Sequence, residues 1–232
     1  MNIKEIETCL KNMGNPETAK QLQRFFKTGP GEYGHGDIFI GVRVPQLRKL
    51  IKKYKTINYN PVQKLLISRI HEHRMMALLI LVREYSKGNQ SEKEEIYKLY
   101  IKNIRYVNNW DIVDCSAQHI VGAFLKDKDK KQLYDFANSK NLWKRRISII
   151  ATFHYIKLNE FSETFRIAKV LLTDKEDLIH KATGWMLREI GKRDLQVLEN
   201  FLKKYYRNMP RTMLRYAIEK FPEPQRQKYL NR

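Results

Sequence analysis

Cysteine is nearly missing from this chain. Cys9 and Cys115 are the only two in 232 residues, far apart in sequence. That argues against a disulfide framework and for a reducing compartment, the cytoplasm. Long apolar runs are missing as well. No stretch nears the ~20 residues a bilayer crossing requires, so no membrane-spanning segment is expected. The opening residues MNIKEIETCL carry acids early and hold no apolar signal core, so no secretory leader is expected. There is no low-complexity tract to suggest disorder.

Acid is the other deficit. Twenty-five Asp and Glu face 45 Lys and Arg, a formal net charge of +20. So lopsided a balance implies a polyanionic partner, and nucleic acid ranks ahead of membrane because no amphipathic anchor is visible. Contacts to duplex phosphates would make affinity fall with salt, with a slope of about −0.9 per neutralised phosphate.

What is present reads as helix. A hydrophobic content of 42% and a charged content of 30% suit a folded chain of 232 residues with a real core, expected here as one domain over 1–232. Ile3, Ile6, Leu10 and Met13 share one helical face, and Gly14 ends that helix. Asn15-Pro16, cap then first-turn proline, opens a second helix to about Lys27. Gly29–Asp37, GPGEYGHGD, contains G-x-G-x-x-G, but a helix precedes it and the extended stretch IFIGV follows. That order is wrong for a dinucleotide fold. The segment 29–42 is expected as an inserted glycine-rich loop or a hairpin whose second arm is Ile38–Val42. Beyond Pro45 the pattern predicts helices over 45–54, 61–70, 72–87, 91–105, 110–125, 129–138, 142–158, 162–172, 175–192, 194–206 and 210–220, with Tyr54–Tyr59 and Gly88–Asn89 as joints.

A repeat shows through. Basic residues open apolar or small-residue runs at Arg74, Arg146, Lys181 and Arg211, at intervals of 72, 35 and 30, and the Trp110 helix takes the place skipped in the first interval. Helical pairs at a period near 35 imply an all-α solenoid, a HEAT-like α-α superhelix. The second helix of each pair would line a concave basic groove. Helix N-termini and arginine forks along its edge suit phosphate.

Tyr106–Val121, YVNNWDIVDCSAQHIV, is the stretch with chemical content. Asn109 reads as an N-cap, and Asp111 complements the positive end of a helix starting at Trp110. Asp114 lies one turn on, at the margin of an apolar stripe through Val113, Ala117, Ile120, Val121 and Phe124. A carboxylate there is little screened by water. Cys115 has no histidine placed to activate it and reads as a buried free thiol. His71 and His73 flank Glu72 with no third ligand at metal spacing, so no metal site is expected.

WDIVD at 110–114, WKRR at 143–146 and KATGWMLRE at 181–189 together resemble the motifs of the AlkD-type HEAT-like DNA glycosylases, in order and at matching intervals. The resemblance implies that Asp114 is the catalytic carboxylate, Trp110 and Trp185 aromatic walls against the lesion's deoxyribose, and Arg146 the grip on a nearby phosphate, all four on one groove. It implies excision of cationic N-alkylated purines from double-stranded DNA, with no metal or cofactor and no need to flip the base; a monomer is expected. Arg43, Lys144, Arg145, Lys181, Arg188 and Arg211 are the expected DNA contacts. Three departures fall in the N-terminal part: the insertion GPGEYGHGD, Arg43 where glutamine is expected, and a missing aromatic hydroxyl near Phe25. Two other readings stand beside excision. One is a non-catalytic binder of branched or distorted DNA, and the other is a helical-repeat scaffold for RNA or an acidic protein.

Overall fold

The computed structural model describes residues 3–53 and 62–231. These fall into two compact units, Met1–Ser116 and Ala117–Arg232. The expected joint at Tyr54–Tyr59 lies outside the described residues.

The first unit holds α1 (Ile3–Met13), α2 (Pro16–Phe25), α3 (Val44–Lys52), α4 (Val62–Leu66), α5 (His71–Lys87), α6 (Gln90–Lys102) and α7 (Trp110–Asp114). Its starts are written in its caps. Asn15 Oδ1 accepts the Thr18 amide at 2.8 Å ahead of Pro16. Asn89 and Glu92 close a capping box at 3.0 and 2.7 Å, satisfying amides that a helix start leaves unpaired. Helix α5 is the centre, packed by α1, α3, α4, α6 and α7. It is therefore buried on nearly every side, and even its first four residues, His71, Glu72, His73 and Arg74, are out of solvent.

The second unit runs through α8 (Ala123–Leu125), α9 (Lys131–Ala137), α10 (Leu142–Ala151), α11 (Phe153–Ile156), α12 (Ser162–Val170), α13 (Asp177–Gly191), α14 (Leu195–Tyr205), α15 (Arg211–Ala217) and α16 (Glu223–Leu230). Helix α10 packs on α9 and α13, and α13 packs on α14 and α15. Second helices thus stack on second helices, as the repeat predicts. Helix α16 was not foreseen from periodicity, because its eight residues carry no apolar stripe and none is buried.

Two expectations need correction. Gly29–Asp37 is no hairpin. It is a run of turns, and its exit makes one isolated parallel bridge, Ile38 to Ile70. Glu72 accounts for this course. Its carboxylate takes the amides of Ile40, Gly41 and Val42 at 3.1, 2.8 and 3.2 Å, bonds that a second hairpin arm would have needed. Gly41 is obligatory here, with φ +85° and the Asn15 carbonyl 2.1 Å from where a Cβ would stand.

The helix expected over 110–125 is also broken. It stops at Asp114, turns, and resumes as a wide π-turn over Gln118–Gly122. Ser116 Oγ takes the Ile112 carbonyl at 2.5 Å and Cys115 Sγ approaches it at 3.4 Å, so side chains compete with the backbone ladder. Past the break, Gly122 meets the Ala151 carbonyl so closely that a Cβ would sit 2.1 Å from it.

Candidate active site

One loop design recurs ahead of α5, α10 and α13. Ser68 Oγ accepts the Ile70 amide at 3.1 Å, and Arg74, six residues on, donates to the Ser68 carbonyl at 2.9 Å. Ser139 Oγ accepts the Asn141 amide at 3.1 Å, and Arg145 donates to the Ser139 carbonyl at 3.0 Å. Asp174 Oδ1 accepts the Glu176 amide at 2.9 Å, and His180 Nε2 donates to the Asp174 carbonyl at 2.6 Å. The repeat therefore runs through Arg74, Arg145 and His180, one residue earlier in the last two copies than the Arg146 and Lys181 read from sequence. One period before Arg145 stands Trp110. Arg74, Arg145 and His180 are each the fourth residue of their helix, whereas Trp110 is the first residue of α7, whose fourth is Val113, with no polar side chain to tie a loop.

Other groups hold α7 instead. Asn109 is fully buried, caps Trp110 through Oδ1 at 2.8 Å and reaches Asp37 Oδ2 through Nδ2 at 3.3 Å. Asp111 takes the Ile112 amide at 2.8 Å and lies 2.9 Å from His71 Nε2. The other His71 nitrogen lies 3.2 Å from Asp37 Oδ2, and Arg74 Nη2 lies 2.7 Å from Asp37 Oδ1. Burial disfavours charge on His71, but the Asp111 carboxylate, with the Asp37 hydrogen bond, outweighs it against Arg74 and raises the pKa to about 9. Burial likewise raises Asp37, but His71, Arg74 and Asn109 more than offset it and hold the carboxyl below its usual range.

The Trp110 indole is half-buried, stacked on Phe26 at 5.2 Å and edge-on to Phe25 at 5.9 Å. Phe25 is 63% exposed, so one aromatic face beside Trp110 is open to a ligand. Tyr33, from the glycine-rich segment, sets its hydroxyl 3.4 Å from the Phe25 carbonyl. The insertion thus sets an aromatic hydroxyl against the Phe25 backbone. A cavity of about 310 Å³ lies alongside, lined among others by Phe25, Phe26, Phe39, His71, Met75 and Asp111.

Asp114, the last residue of α7, is half-buried one turn from Trp110. Burial, with the Asp111 and Asp114 charges, pushes the Cys115 thiol far above its usual range, so it stays protonated and inert. In the second unit, Arg146 is 4% exposed and donates to the Leu178 carbonyl. Trp185 is half-buried, bonded through Nε1 to Glu189 at 3.0 Å and edge-on to Phe153 at 5.7 Å. Its helix α13 packs on the Arg146 helix α10.

Of the other expected contacts, Arg145 pairs with Asp174 at 2.6 Å, Lys181 with Asp177 at 2.7 Å and Arg188 with Glu219. Arg211 donates to the Leu230 carbonyl at 3.0 Å, Lys144 lies 5.9 Å over the Phe136 ring, and Arg43 is exposed at the start of α3. Sequence reasoning missed Asp37, His71 and Arg74 as a group. The signal within reach was a histidine and an arginine one turn apart on a helix with no polar face.

Stacked helical pairs with one aberrant copy, carrying an indole and a carboxylate on a single turn, define a class: an α-helical repeat protein specialised at one repeat. The family model described as DNA alkylation repair enzyme matches residues 6–221, and the chain belongs to that family. Its role accordingly lies in DNA repair. A solved structure described as a predicted DNA alkylation repair enzyme from Enterococcus faecalis is 18% identical, with a TM-score of 0.70 over 91% of this chain and 98% of that one. The crystal structure of AlkD2 from Streptococcus mutans is 20% identical, with a TM-score of 0.51 over 89% and 98%. The fold is thus the all-α AlkD type. None of the curated proteins compared matches the chain. Among the described residues no helix is long and apolar enough to cross a membrane.

Proposed function

We propose that this chain binds double-stranded DNA and hydrolyses the N-glycosidic bond of cationic alkylated purines, such as 3-methyladenine and 7-methylguanine. In this reading it acts as a cytoplasmic monomer, without metal or cofactor. The observation that carries the reading is Trp110, the half-buried first residue of α7, one turn before the half-buried Asp114.

The chemistry follows from the substrate's charge. Alkylation at a ring nitrogen makes the purine cationic. When the C1′–N bond breaks, the base leaves neutral with the bonding electrons and the sugar becomes oxocarbenium-like. A carboxylate about 4 Å from that charge stabilises it by roughly 4 kcal/mol at an effective dielectric of 20, about a thousandfold in rate. Asp114 is assigned this role, and it also orients the water that adds to C1′ and takes up its proton. The Trp110 face favours positive character in the sugar by about 0.5–2 kcal/mol, and the resemblance alone assigns Trp185 as a second wall. With so good a leaving group no general acid is needed. The resemblance implies a phosphate grip for Arg146, but its side chain is buried and bonded to the Leu178 carbonyl, so it is assigned instead to holding α10 against α13. Arg43, Lys144, Arg145, Lys181, Arg188 and Arg211 supply the remaining attraction to the backbone.

The test is release of 7-methylguanine or 3-methyladenine from alkylated duplex by purified protein, run beside Asp114→Asn. Release far above the spontaneous rate, lost in the variant, is expected. No release from several cationic lesions sinks the reading. A binder of branched DNA without excision is the second reading, favoured by the inserted segment. Gly34 packs so that a Cβ would stand 3.5 Å from the Asn109 amide, at the start of the Trp110 helix. Gel shifts with linear and branched DNA separate the two. A strong branched preference without base release supports the binder.

A further inference from the structure

We infer that His71 is a positioning residue for the Trp110–Asp114 helix. As an imidazolium it grips Asp37 of the glycine-rich segment and Asp111 of α7 at once, and so fixes where the indole and the carboxylate stand. The catalytic consequence rests on the proposed excision reaction. The clamp itself does not.

Geometry sets the protonation state. Both ring nitrogens face carboxylate oxygens, at 3.2 and 2.9 Å. A carboxylate only accepts, and a neutral imidazole has one N–H to give. Both contacts are therefore bonds only when the ring carries two protons. Water is no substitute, since His71 is 2% exposed and Asp37 7%. The groups facing the ring are Asp37 from the inserted segment, Asp111 from α7, and Arg74 from its own helix, which pairs with Asp37. Phe39 covers the ring at 4.4 Å and Phe26 at 5.2 Å. Two carboxylates are thus balanced by two cations. Loss of one proton leaves a net buried negative charge and turns one bond into a contact between two lone pairs.

The clamp sits where α7 needs it. In the other copies the fourth residue of the helix ties its loop, and in α7 that position is Val113, which has no polar side chain. Asn109, bonded to Asp37, and Asp111, bonded to His71, stand on either side of Trp110 in the chain. The Phe26 ring stacks on Trp110 and contacts His71. The glycine-rich insertion supplies one jaw through Asp37, so the departure from the family's pattern is built into the support of α7.

The experiment is a pH titration of the full chain, labelled with 15N-histidine and 15N-tryptophan, followed by NMR. His71 is assigned with His71→Gln and the Trp110 indole with Trp110→Phe. Both His71 nitrogens should remain protonated at neutral pH, with the proton leaving near pH 9, and the Trp110 indole resonance should move with the same midpoint. Asp111→Asn, which keeps an acceptor but removes the charge, should lower that midpoint by at least one pH unit. A His71 that titrates near 6.5, or is neutral at pH 7, overturns the inference. So does a Trp110 resonance indifferent to the His71 titration. Neither reading depends on catalysis, so a chain that excises nothing still decides the matter. In a chain that does excise, His71→Gln should lower kcat at least tenfold with KM for alkylated DNA within twofold, and the fall in wild-type rate above pH 9 should vanish. A kcat within twofold of wild type overturns the positioning role.

Discussion

Ahead of α10 the chain turns on Ser139 and is tied by Arg145, whose guanidinium reaches back to the Ser139 carbonyl and across to Asp174. The corresponding fourth residue of α7 is Val113, with no polar side chain, and the helix start is held by Asn109, Asp111, His71 and Asp37 instead. A loop tied by its own arginine is a local device that survives at a partly exposed site. A helix whose first residue is reserved for a ligand is fixed from elsewhere, and the network that does so is buried. Burial makes it rigid and also sensitive, because an unpaired charge inside a protein costs far more than one at the surface. Specialisation of one repeat therefore concentrates electrostatic cost in its neighbour. Helix α5 carries that cost in its first turn, with His71 and Glu72 bonded, and Arg74 ion-paired, to the segment that precedes α3 or to α7.

The comparison can be broken at several points. Asp114→Asn should reduce excision about a thousandfold, roughly 4 kcal/mol of transition-state stabilisation, while the melting temperature stays put. Base-release kinetics and calorimetry on the same preparations check this. Arg74→Met should cost about 3 kcal/mol or more in urea unfolding, since it leaves Asp37 buried beside one cation instead of two. The matching Arg145→Met should cost somewhat less, its side chain being 15% exposed against 3% for Arg74. Equal costs would show that the two loops are held alike.

The pH dependence of stability sharpens the same point. His71 has a folded pKa of about 9, above its ordinary 6.5. Its contribution is thus complete below about pH 6.5 and is lost as pH rises to about 9, on the order of 3 kcal/mol in all. Asp37 works in the opposite sense. Its folded pKa lies below 3.8, so its contribution is present above that value and disappears on acidification through the folded pKa. Urea midpoints measured from pH 5 to 10 should decline on the alkaline side, and in His71→Gln that decline should flatten. Smallest of all, Ser139→Ala removes one side-chain hydrogen bond and should cost about 0.5–1.5 kcal/mol. Ser68→Ala should cost more, because Ser68 Oγ bonds both the Ile70 amide and the His73 ring.

Much of the fold was legible in order and kind. Caps such as Asn15, Asn89, Asn109 and Asn141 sit just ahead of helices, and the period near 35 is real. The register of the repeat was off by one in two copies, because Arg145 and Arg146 are adjacent and sequence does not say which one bends back to a carbonyl. The break after Asp114 was hidden in an unbroken apolar stripe. Spacing of side chains does not reveal that Ser116 and Cys115 take the carbonyl that would continue the helix. Of the candidate site, local spacing put Trp110 and Asp114 on one turn, and only the family resemblance gave them their roles. Asp37 could not be linked to them, since 72 residues separate it from Asn109 and 34 from His71.

By itself the amino-acid sequence determined what depends on near neighbours: helices, their starts, the repeat length, the positive charge, and an indole one turn from a carboxylate. Only the tertiary structure decided which charges are buried together. Whether His71 carries a proton, or whether a glycine-rich insertion is a loose appendage or one jaw of a clamp, depends on carboxylates brought in from remote parts of the chain. Their effect scales with distance and the exclusion of water, and neither is a property of order along the chain.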